Sequence, residues 1–401
     1  MSRATVVVTA CCSLMVAGCS QGPATSPPMH STQGAAAPMI TRYQVLNNFN
    51  GADEGAYPTG SITPWLKLLY GTASDGGKYG FGVIFRARPD GKDNYPLHYF
   101  DGKQEGCTPM GGVTFGYRSS VFYGTTKSCG NSTKGGTIWS EHASSRNIEV
   151  LHAFDLASDG GNPESAPVQV GETLYGTTRN GGAHGRGTLY SIDMKTSAFK
   201  VLHAFGAGTD AGYPVGGLVE LGGKLYGTSY IGGSLRLGTV YEFDPKNGTE
   251  KVLHEFNGDD GERPTAPLLS WAGALYGVTP IGGARFAGTI FKIDPANGNE
   301  TTLYNFGSDA FAPDGSLIMW KDALYGTTRR GGKSGKDFGT IFRYTPGTNK
   351  FDELYAFGGK PDGAHPRGGL VFLNVDRQDQ FFGTTYDGGK EGLGTIFSMT
   401  P

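Results

Sequence analysis

Three recurring sets of residues have types that could do chemistry. Glycine-rich stretches, such as LYGTTRNGGAHGRGTLYSID at residues 174–193, look like loops that hold phosphate in front of a helix. Histidines that follow a leucine could bind a metal ion or act as general bases, and they are His98, His152, His203 and His254. Aspartates in Gly- and Pro-containing loops could ligate calcium or hydrolyse glycosides in pairs, and they are Asp53, Asp101, Asp159, Asp210, Asp260, Asp309 and Asp362. Which chemistry is available depends on the elements that position these residues.

A tandem repeat accounts for the glycine-rich stretches. The LYGTT-like motif occurs seven times, with its aromatic residue at Tyr70, Tyr123, Tyr175, Tyr226, Tyr276, Tyr325 and Phe382. The separations are 53, 52, 51, 50, 49 and 57 residues, and a period of this length indicates a repeat architecture. A phosphate site would need one special loop that opens a helix, whereas the copies lead into GTIF and its variants. We therefore interpret the glycines as part of the architecture and not as a nucleotide site.

Each repeat contains four short strand patterns. In the fourth unit they lie in PVGGLVEL, KLYGTS, GTVYEFD and KVLHEF, separated by tight turns and longer loops. Seven such units of about fifty residues, without helical periodicity, predict an all-β fold, a seven-bladed β-propeller of four-stranded repeats. YQVLNNF at residues 43–49 matches a fourth strand, so we expect this N-terminal strand to close the seventh blade. The glycine inside LYGTT is expected where a neighbouring backbone or an aromatic ring from the next blade approaches closely.

The succession of LYGTT, GG, GTIF, VLHxF and a DG-containing loop resembles the GloVer-type (choice-of-anchor) tandem repeat of bacterial exported proteins. The likeness covers residues 41–401, with departures at Val278 and Phe382 and in the altered loop around Cys129. The resemblance implies export, anchoring and a propeller-like repeat domain. It brings no established activity and no catalytic residues.

The first forty residues have the composition of an export signal and a tether. Arg3 precedes an apolar stretch, and VAGC at residues 16–19 resembles the lipobox of bacterial lipoproteins, which implies cleavage before Cys19 and acylation of that residue. An ordinary secretory peptide is the alternative. We predict a lipoprotein signal peptide at residues 1–18, a flexible tether at 19–40 and the propeller at 41–401. By analogy with lipoprotein sorting, Ser20 favours the outer membrane of the bacterial cell envelope, and an unlipidated protein would be secreted.

Composition limits the partners. The 401 residues carry a net charge of −2, so the chain has no excess of cations to neutralise a nucleic acid, and we expect none as a partner. With 37% hydrophobic and 17% charged residues, the chain can bury a large core. We expect a monomer that meets the membrane through its lipid only.

Two cysteines belong to the propeller. Cys107 and Cys129 fall in loops that a propeller places on one face, so we predict a disulfide, with two free thiols as the alternative.

The repeat assigns structural roles to the histidines and aspartates. Other units have Asn47, Tyr304 and Tyr355 at the histidine position, and equivalent positions of different blades lie too far apart to share one ion. Asp before Gly, with a later Pro, is turn chemistry. We therefore expect no catalytic residue, no metal and no cofactor, and calcium bound by the Asp loops is the alternative.

One repeat position diverges and marks either free surface or specialised contacts. The residue after YGTT or its variants is Ser74, Lys127, Arg179, Tyr230, Pro280, Arg329 or Tyr386. Both long loop sets edge one face of a propeller and its central depression. The candidate ligand-binding residues there, which offer planar donors and stacking faces to an anionic glycan or a protein loop, are Arg179, Tyr230, Arg236, Arg285, Arg329, Arg330 and Tyr386.

Two functions are consistent with these observations. The first, which we favour, is a noncatalytic, lipid-anchored binding or scaffold module for a glycan or an envelope protein. The second is a polysaccharide hydrolase or lyase with its site in the central depression, an idea that rests on analogy with other propellers. Two carboxylates at hydrolase separation would favour the enzyme, whereas a broad face with scattered Arg and Tyr would favour binding.

Overall fold

The computed structural model describes residues 42–117, 120–144 and 147–401. These residues form β-strands joined by turns and loops, and seven four-stranded antiparallel sheets make the predicted seven-bladed propeller. Within these ranges, no helix has the length and apolar character needed to cross a bilayer. The predicted signal peptide, the lipidation site Cys19 and the tether lie outside the described residues.

Blades 1 to 6 each use four strands that follow one another along the chain. In blades 1 to 3 the strands are β2 (Thr63–Trp65), β3 (Leu68–Ala73), β4 (Val83–Ala87), β5 (Asn94–Tyr99), β6 (Thr114–Phe115), β7 (Val121–Thr126), β8 (Thr137–His142), β9 (Ile148–Ala153), β10 (Val168–Val170), β11 (Thr173–Thr178), β12 (Thr188–Asp193) and β13 (Phe199–Ala204). In blades 4 to 6 they are β15 (Val219–Leu221), β16 (Lys224–Ile231), β17 (Thr239–Asp244), β18 (Thr249–Glu255), β19 (Leu269–Trp271), β20 (Ala274–Thr279), β21 (Thr289–Ile293), β22 (Glu300–Asn305), β24 (Ile318–Trp320), β25 (Ala323–Gly331), β26 (Thr340–Thr345) and β27 (Lys350–Ala356).

Short strands that the repeat pattern does not predict extend two of the blades. β14 (Gly212–Pro214) and β23 (Ala310–Pro313) pair with the far ends of β16 and β25. The second strands of blades 4 and 6 therefore run past the LYGTT motif. In blade 7, β28 (Gly363–Ala364) and β31 (Asp387–Gly388) form a separate pair at the corresponding place.

The N-terminal strand closes the ring, as predicted. Blade 7 consists of β29 (Val371–Val375), β30 (Gln378–Thr385), β32 (Thr395–Met399) and β1 (Tyr43–Asn48), and β1 pairs antiparallel with β32. The Tyr43 ring stacks on the ring of Tyr355 in blade 6, with their centroids 3.8 Å apart. Both ends of the chain thus contribute to one sheet, and the ring has no open blade.

A glycine beneath an aromatic ring defines each blade. In blade 4, Gly227 of β16 is the cross-strand partner of Tyr241 in β17, so both lie on one face of the sheet. A Cβ on this glycine would come closer than 3.0 Å to the ring, and the same overlap recurs in all seven LYGTT motifs. Our expectation of close packing is confirmed, but the ring belongs to the same blade and not to the next one.

Paired hydroxyls explain the threonines that follow this glycine. The hydroxyl of the second Thr of LYGTT, or of Ser229, lies 2.7–2.9 Å from that of the Thr in GTIF in six blades. In blade 1 the same pair is Ala73 opposite Val83. Both partners are apolar there, so neither leaves a buried hydroxyl without a hydrogen bond.

Seven clusters of buried side chains fill the seven junctions between blades. Each cluster combines residues of two neighbouring blades, and one of them joins Phe85 of blade 1 to Phe382 of blade 7. Alternate residues of the third strands point to opposite junctions, so Ile84 packs toward blade 2 while Phe85 packs toward blade 7. The core is therefore a ring of interfaces.

We predict that a chain beginning at residue 50 has a lower melting temperature than one beginning at residue 42. The deletion removes the pairing of β1 with β32 and also Phe49, which is fully buried and is alone expected to contribute about 3–5 kcal/mol. Thermal unfolding followed by circular dichroism measures the difference. Equal melting temperatures would show that β1 does not close the ring.

We also predict that Gly227→Ala lowers the free energy of unfolding by about 3 kcal/mol, because the methyl group overlaps the Tyr241 ring. Gly347→Ala is the matched control, since no atom lies within 4 Å of its added Cβ, and it should change stability by about 0.5 kcal/mol at most. Urea denaturation of both variants checks the prediction, which fails if the two glycines tolerate alanine equally.

Candidate functional site

A basin lies at the centre of one face of the ring. Its volume is about 750 Å³, and residues of all seven blades line it. The inner ends of the blades meet there through backbone: Gly60 lies against Gly112, Gly111 against Ala166, and Gly368 against Gly60. The volume lies within the range of small-molecule and cofactor sites.

The residue after the loop proline of each repeat forms part of the basin wall. All seven of these residues line it, and they are Thr59, Met110, Glu164, Val215, Thr265, Asp314 and Arg367. The residue before the proline has a positive φ in every repeat, from 50° at His365 to 58° at Tyr57. Because this conformation is uncommon outside glycine, its sevenfold recurrence shows that the fold imposes the same turn on different side chains.

The divergent position after YGTT forms a second part of the wall. Five of its seven residues line the basin, and they are Lys127, Arg179, Tyr230, Pro280 and Arg329. Each directly follows a strand segment that is anchored by the glycine and hydroxyl contacts described above. The basin wall therefore combines two variable positions, one next to an invariant proline and the other at the end of the repeated LYGTT-like strand.

One carboxylate neutralises two basin cations. Glu164, whose side chain is 7% exposed, forms ion pairs with Lys127 Nζ at 2.8 Å and with Arg179 Nη1 at 3.1 Å. The two cations are about one-third exposed. Since a buried carboxylate without a partner is costly, this arrangement fixes Glu164 in the wall.

Three arginines in the basin have no carboxylate partner among the described residues. Arg263 donates to Tyr230 Oη at 3.2 Å and lies over the same ring. Arg367 lies over the Tyr386 ring at 4.0 Å, and its buried Nε has no hydrogen-bond partner. The guanidinium of Arg329 makes no ion pair within the described part of the chain. Asp314 is the other carboxylate of the wall, and it accepts a hydrogen bond from Thr265 Oγ1 at 2.6 Å.

The structure gathers some of the predicted ligand residues and separates others. Arg179, Tyr230 and Arg329 line the basin. Tyr386 does not line it, but its ring contacts the basin residue Arg367. The remaining three are exposed and do not line it: Arg236, Arg285 and Arg330, the last of which pairs with Asp337 at 3.2 Å.

Sequence reasoning did not select several important wall residues. Arg263, Arg367, Glu164 and Asp314 were not among the candidates, although they lie next to the loop proline of their repeats. Divergence of the residue after an invariant proline was the signal that could have found the last three.

The residue at the histidine position forms a separate couple with an acidic residue of the following loop at five of the seven repeats. His152 Nε2 lies 2.7 Å from Asp159 Oδ2, and the same couple recurs as His98 with Glu105, His203 with Asp210, His254 with Asp260 and Tyr355 with Asp362. Asp159 also accepts the backbone N–H of Asp155 at 2.6 Å, which agrees with a turn role.

Two of the loop aspartates named from the sequence are not the acidic residues at the couple position. In blade 1, His98 pairs with Glu105 and not with Asp101. By the same spacing from Asn47, the N-terminal loop is matched by Glu54 and not by Asp53.

Two junctions carry an additional half-buried carboxyl group. Burial, together with the nearby charge of Asp210, raises the pKa of Glu250 to about 8. Burial also raises the pKa of Glu300, next to Asp260.

Cys107 and Cys129 lie on the loop face, and their sulfur atoms are at bonding distance with Cα atoms 5.4 Å apart. The chain geometry at this place is compatible with a disulfide. The link would tie the loop before blade 2 to the loop between β7 and β8.

The chain belongs to the Gloeobacter/Verrucomicrobia repeat family. The family matches residues 35–177, 157–336 and 307–401, which together span the propeller. This agrees with the resemblance carried by the repeated LYGTT and GTIF motifs. The comparison with curated proteins found no match.

Similar solved structures share the fold at low identity. An oligogalacturonate lyase in complex with manganese is 10% identical with a TM-score of 0.56, over 89% of this chain and 92% of that one. An oligogalacturonate lyase from Vibrio parahaemolyticus is 10% identical with a TM-score of 0.55, over 91% and 94%. The extracellular domain of a protein described as a one component system, from B. thetaiotaomicron, is 10% identical with a TM-score of 0.56, but the 89% of this chain that aligns spans only 40% of that one.

Proposed function

We propose that this propeller is a noncatalytic binding module whose basin holds an acidic glycan. The observation that carries the proposal is the set of three guanidinium groups, on Arg263, Arg329 and Arg367, that line one basin and have no carboxylate partner among residues 42–117, 120–144 and 147–401. Planar guanidinium groups bind carboxylates through two parallel hydrogen bonds, so several of them on one wall suit a ligand with repeated carboxylates.

The aromatic residues of the basin support a sugar ligand. The Tyr230 ring contacts Arg263, and the Tyr386 ring contacts both Arg367 and Tyr57. These stacks hold the arginine planes in place before a ligand arrives, which reduces the entropy lost on binding. A short chain of uronate sugars fits a concave basin with fixed cations better than the flat surface of a protein ligand does.

The arrangement of carboxylates argues against a glycoside hydrolase in this basin. Glu164 and Asp314 are the two carboxylates among the described residues that line it, and they belong to blades 3 and 6. Glu164 is neutralised by two cations, whereas a general acid needs a raised pKa. The alternative function, a polysaccharide hydrolase or lyase, is supported only by the fold that this chain shares with other propellers.

We predict that trigalacturonate binds the protein and that its fully methyl-esterified form, which lacks the charges, binds at least tenfold more weakly. Oligogalacturonate is chosen because two proteins of the same fold are named for it and because it carries a carboxylate on each sugar. Arg329→Ala and Arg367→Ala should each weaken binding about 10- to 100-fold, the value of a charge-assisted hydrogen bond. Isothermal titration calorimetry at low salt measures this.

Three variants serve as controls for this prediction. Arg236→Ala and Arg285→Ala remove exposed charges outside the basin and should leave the affinity within twofold. Glu164→Gln removes the anion that neutralises Lys127 and Arg179, so it should tighten binding. Equal losses in the exposed and basin variants, or equal binding of the ester, would contradict the proposal.

The enzyme alternative has its own readout. Mass spectrometry of each glycan that binds in an array, after incubation with the protein, should find it intact. Shortened or unsaturated products would establish the hydrolase or lyase, and binding of a protein ligand instead of any glycan would identify a scaffold.

We further propose that the module is held at the cell envelope by a lipid on Cys19, as the VAGC motif implies. In a bacterium that processes lipoproteins, Cys19→Ser should release the protein from the membrane fraction and abolish its labelling with a fatty acid. Cys12→Ser, in the preceding apolar stretch, is the control and should keep both. Unchanged fractionation of the Cys19 variant would exclude lipid anchoring.

A further inference from the structure

At five junctions, one side chain of a blade packs against the His or Tyr of the preceding blade that lies in the couple position. This residue lies four positions before the His, Tyr or Asn of its own blade, and the residues at this position in the seven repeats are Tyr43, Asn94, Ile148, Phe199, Glu250, Glu300 and Phe351. At three junctions it is a stacked aromatic ring: Phe199 lies 3.7 Å from His152, Phe351 lies 4.4 Å from Tyr304, and Tyr43 lies 3.8 Å from Tyr355. We call it the cap residue.

At two neighbouring junctions the cap residue is a glutamate. Glu250 meets His203 and Asp210, and Glu300 meets His254 and Asp260. In each set, one ligand atom from every residue lies within 4.8 Å of the others. The chain thus builds the same His–Asp–Glu cluster twice.

Packing does not account for these glutamates. An aromatic cap fills the same position at other junctions, and it does not place a second carboxylate beside the first. Glu250 Oε1 is buried and accepts no hydrogen bond from the described residues. A carboxylate oxygen removed from water without a partner is destabilising, and a cation held between Glu250 and Asp210 would satisfy it. Glu300 Oε1 accepts a hydrogen bond from Thr302 Oγ1 at 3.0 Å, which leaves its other carboxylate oxygen for an ion.

We propose that the two His–Asp–Glu clusters are binding sites for a divalent transition metal ion such as Zn²⁺. One imidazole nitrogen and two carboxylate oxygens make a three-ligand set of the kind zinc accepts, with water completing the coordination. Two carboxylates balance the charge of the ion. Ca²⁺ fits less well, because it takes six to eight oxygen ligands and avoids imidazole.

The surroundings of the clusters favour a bound ion. Backbone N–H groups hold the aspartates in place: Gly206 and Ala211 donate to Asp210, and Asn257 donates to Asp260. The His203 and His254 side chains are 25% and 16% exposed, so an ion can reach them from solvent. Such a site would link the outer strands of adjacent blades, from 3 to 4 and from 4 to 5.

The test is a calorimetric titration of Zn²⁺ into the full chain after treatment with a chelator. Glu250→Gln and Glu300→Gln keep the side-chain size and should each remove one binding equivalent, and the double variant should remove two. Glu149→Gln, an exposed carboxylate three positions before His152, is the matched control and should keep the wild-type stoichiometry. Zn²⁺ should raise the melting temperature of the wild type and of this control but not that of the double variant.

A further variant distinguishes the loss of a zinc ligand from misfolding of the protein. Glu250→Phe recreates the cap found over His152, so it should fold, melt like the wild type without metal, and still lose one zinc equivalent. The proposal is wrong if the double glutamine variant binds as much Zn²⁺ as the wild type. It is also wrong if the wild type binds none, in which case the paired carboxyl groups share a proton.

Discussion

The contact between a strand glycine and an aromatic ring of the same sheet underlies the whole structure. It occurs in all seven LYGTT motifs, and a Cβ at any of these glycines would overlap the ring. The ring packs on the glycine of its own blade and faces the junction with one neighbouring blade, while the alternating residue of the same strand fills the junction with the other neighbour. Because each blade meets two neighbours in this way, the seven junctions form one continuous core.

The repeat allowed most of the fold to be predicted, but not the details that break the repeat. Seven motifs at a regular spacing, and a fourth-strand pattern at residues 43–49, were sufficient for seven blades and their closure. Sequence spacing did not reveal that Gly227 packs against Tyr241 of its own blade, because the contact depends on cross-strand register. The repeat spacing also did not predict β14 and β23, because these strands pair with the parts of β16 and β25 that extend beyond the LYGTT motif.

The site was predicted in part for a related reason. Arg179, Tyr230 and Arg329 directly follow the motif, so their location depends on a strand end that the repeat fixes. Arg236 and Arg285 lie farther along their loops, and their shared residue type says nothing about which way the loops turn. Arg367 follows a loop proline whose turn is the same in every blade, and divergence at that position is the better guide to the wall. Repeated residues hold the ring, and divergent residues between them form the chemical surface.

The central claim is that the basin binds carboxylate-bearing sugars through arginines that have no carboxylate partner in the described part of the chain. A crystal structure of the protein in complex with trigalacturonate tests it most directly. The account predicts the sugar in the basin, with its carboxylates at the guanidinium groups of Arg329 and Arg367. A sugar bound on the outer surface or on the opposite face, with the basin arginines uncontacted, would contradict it.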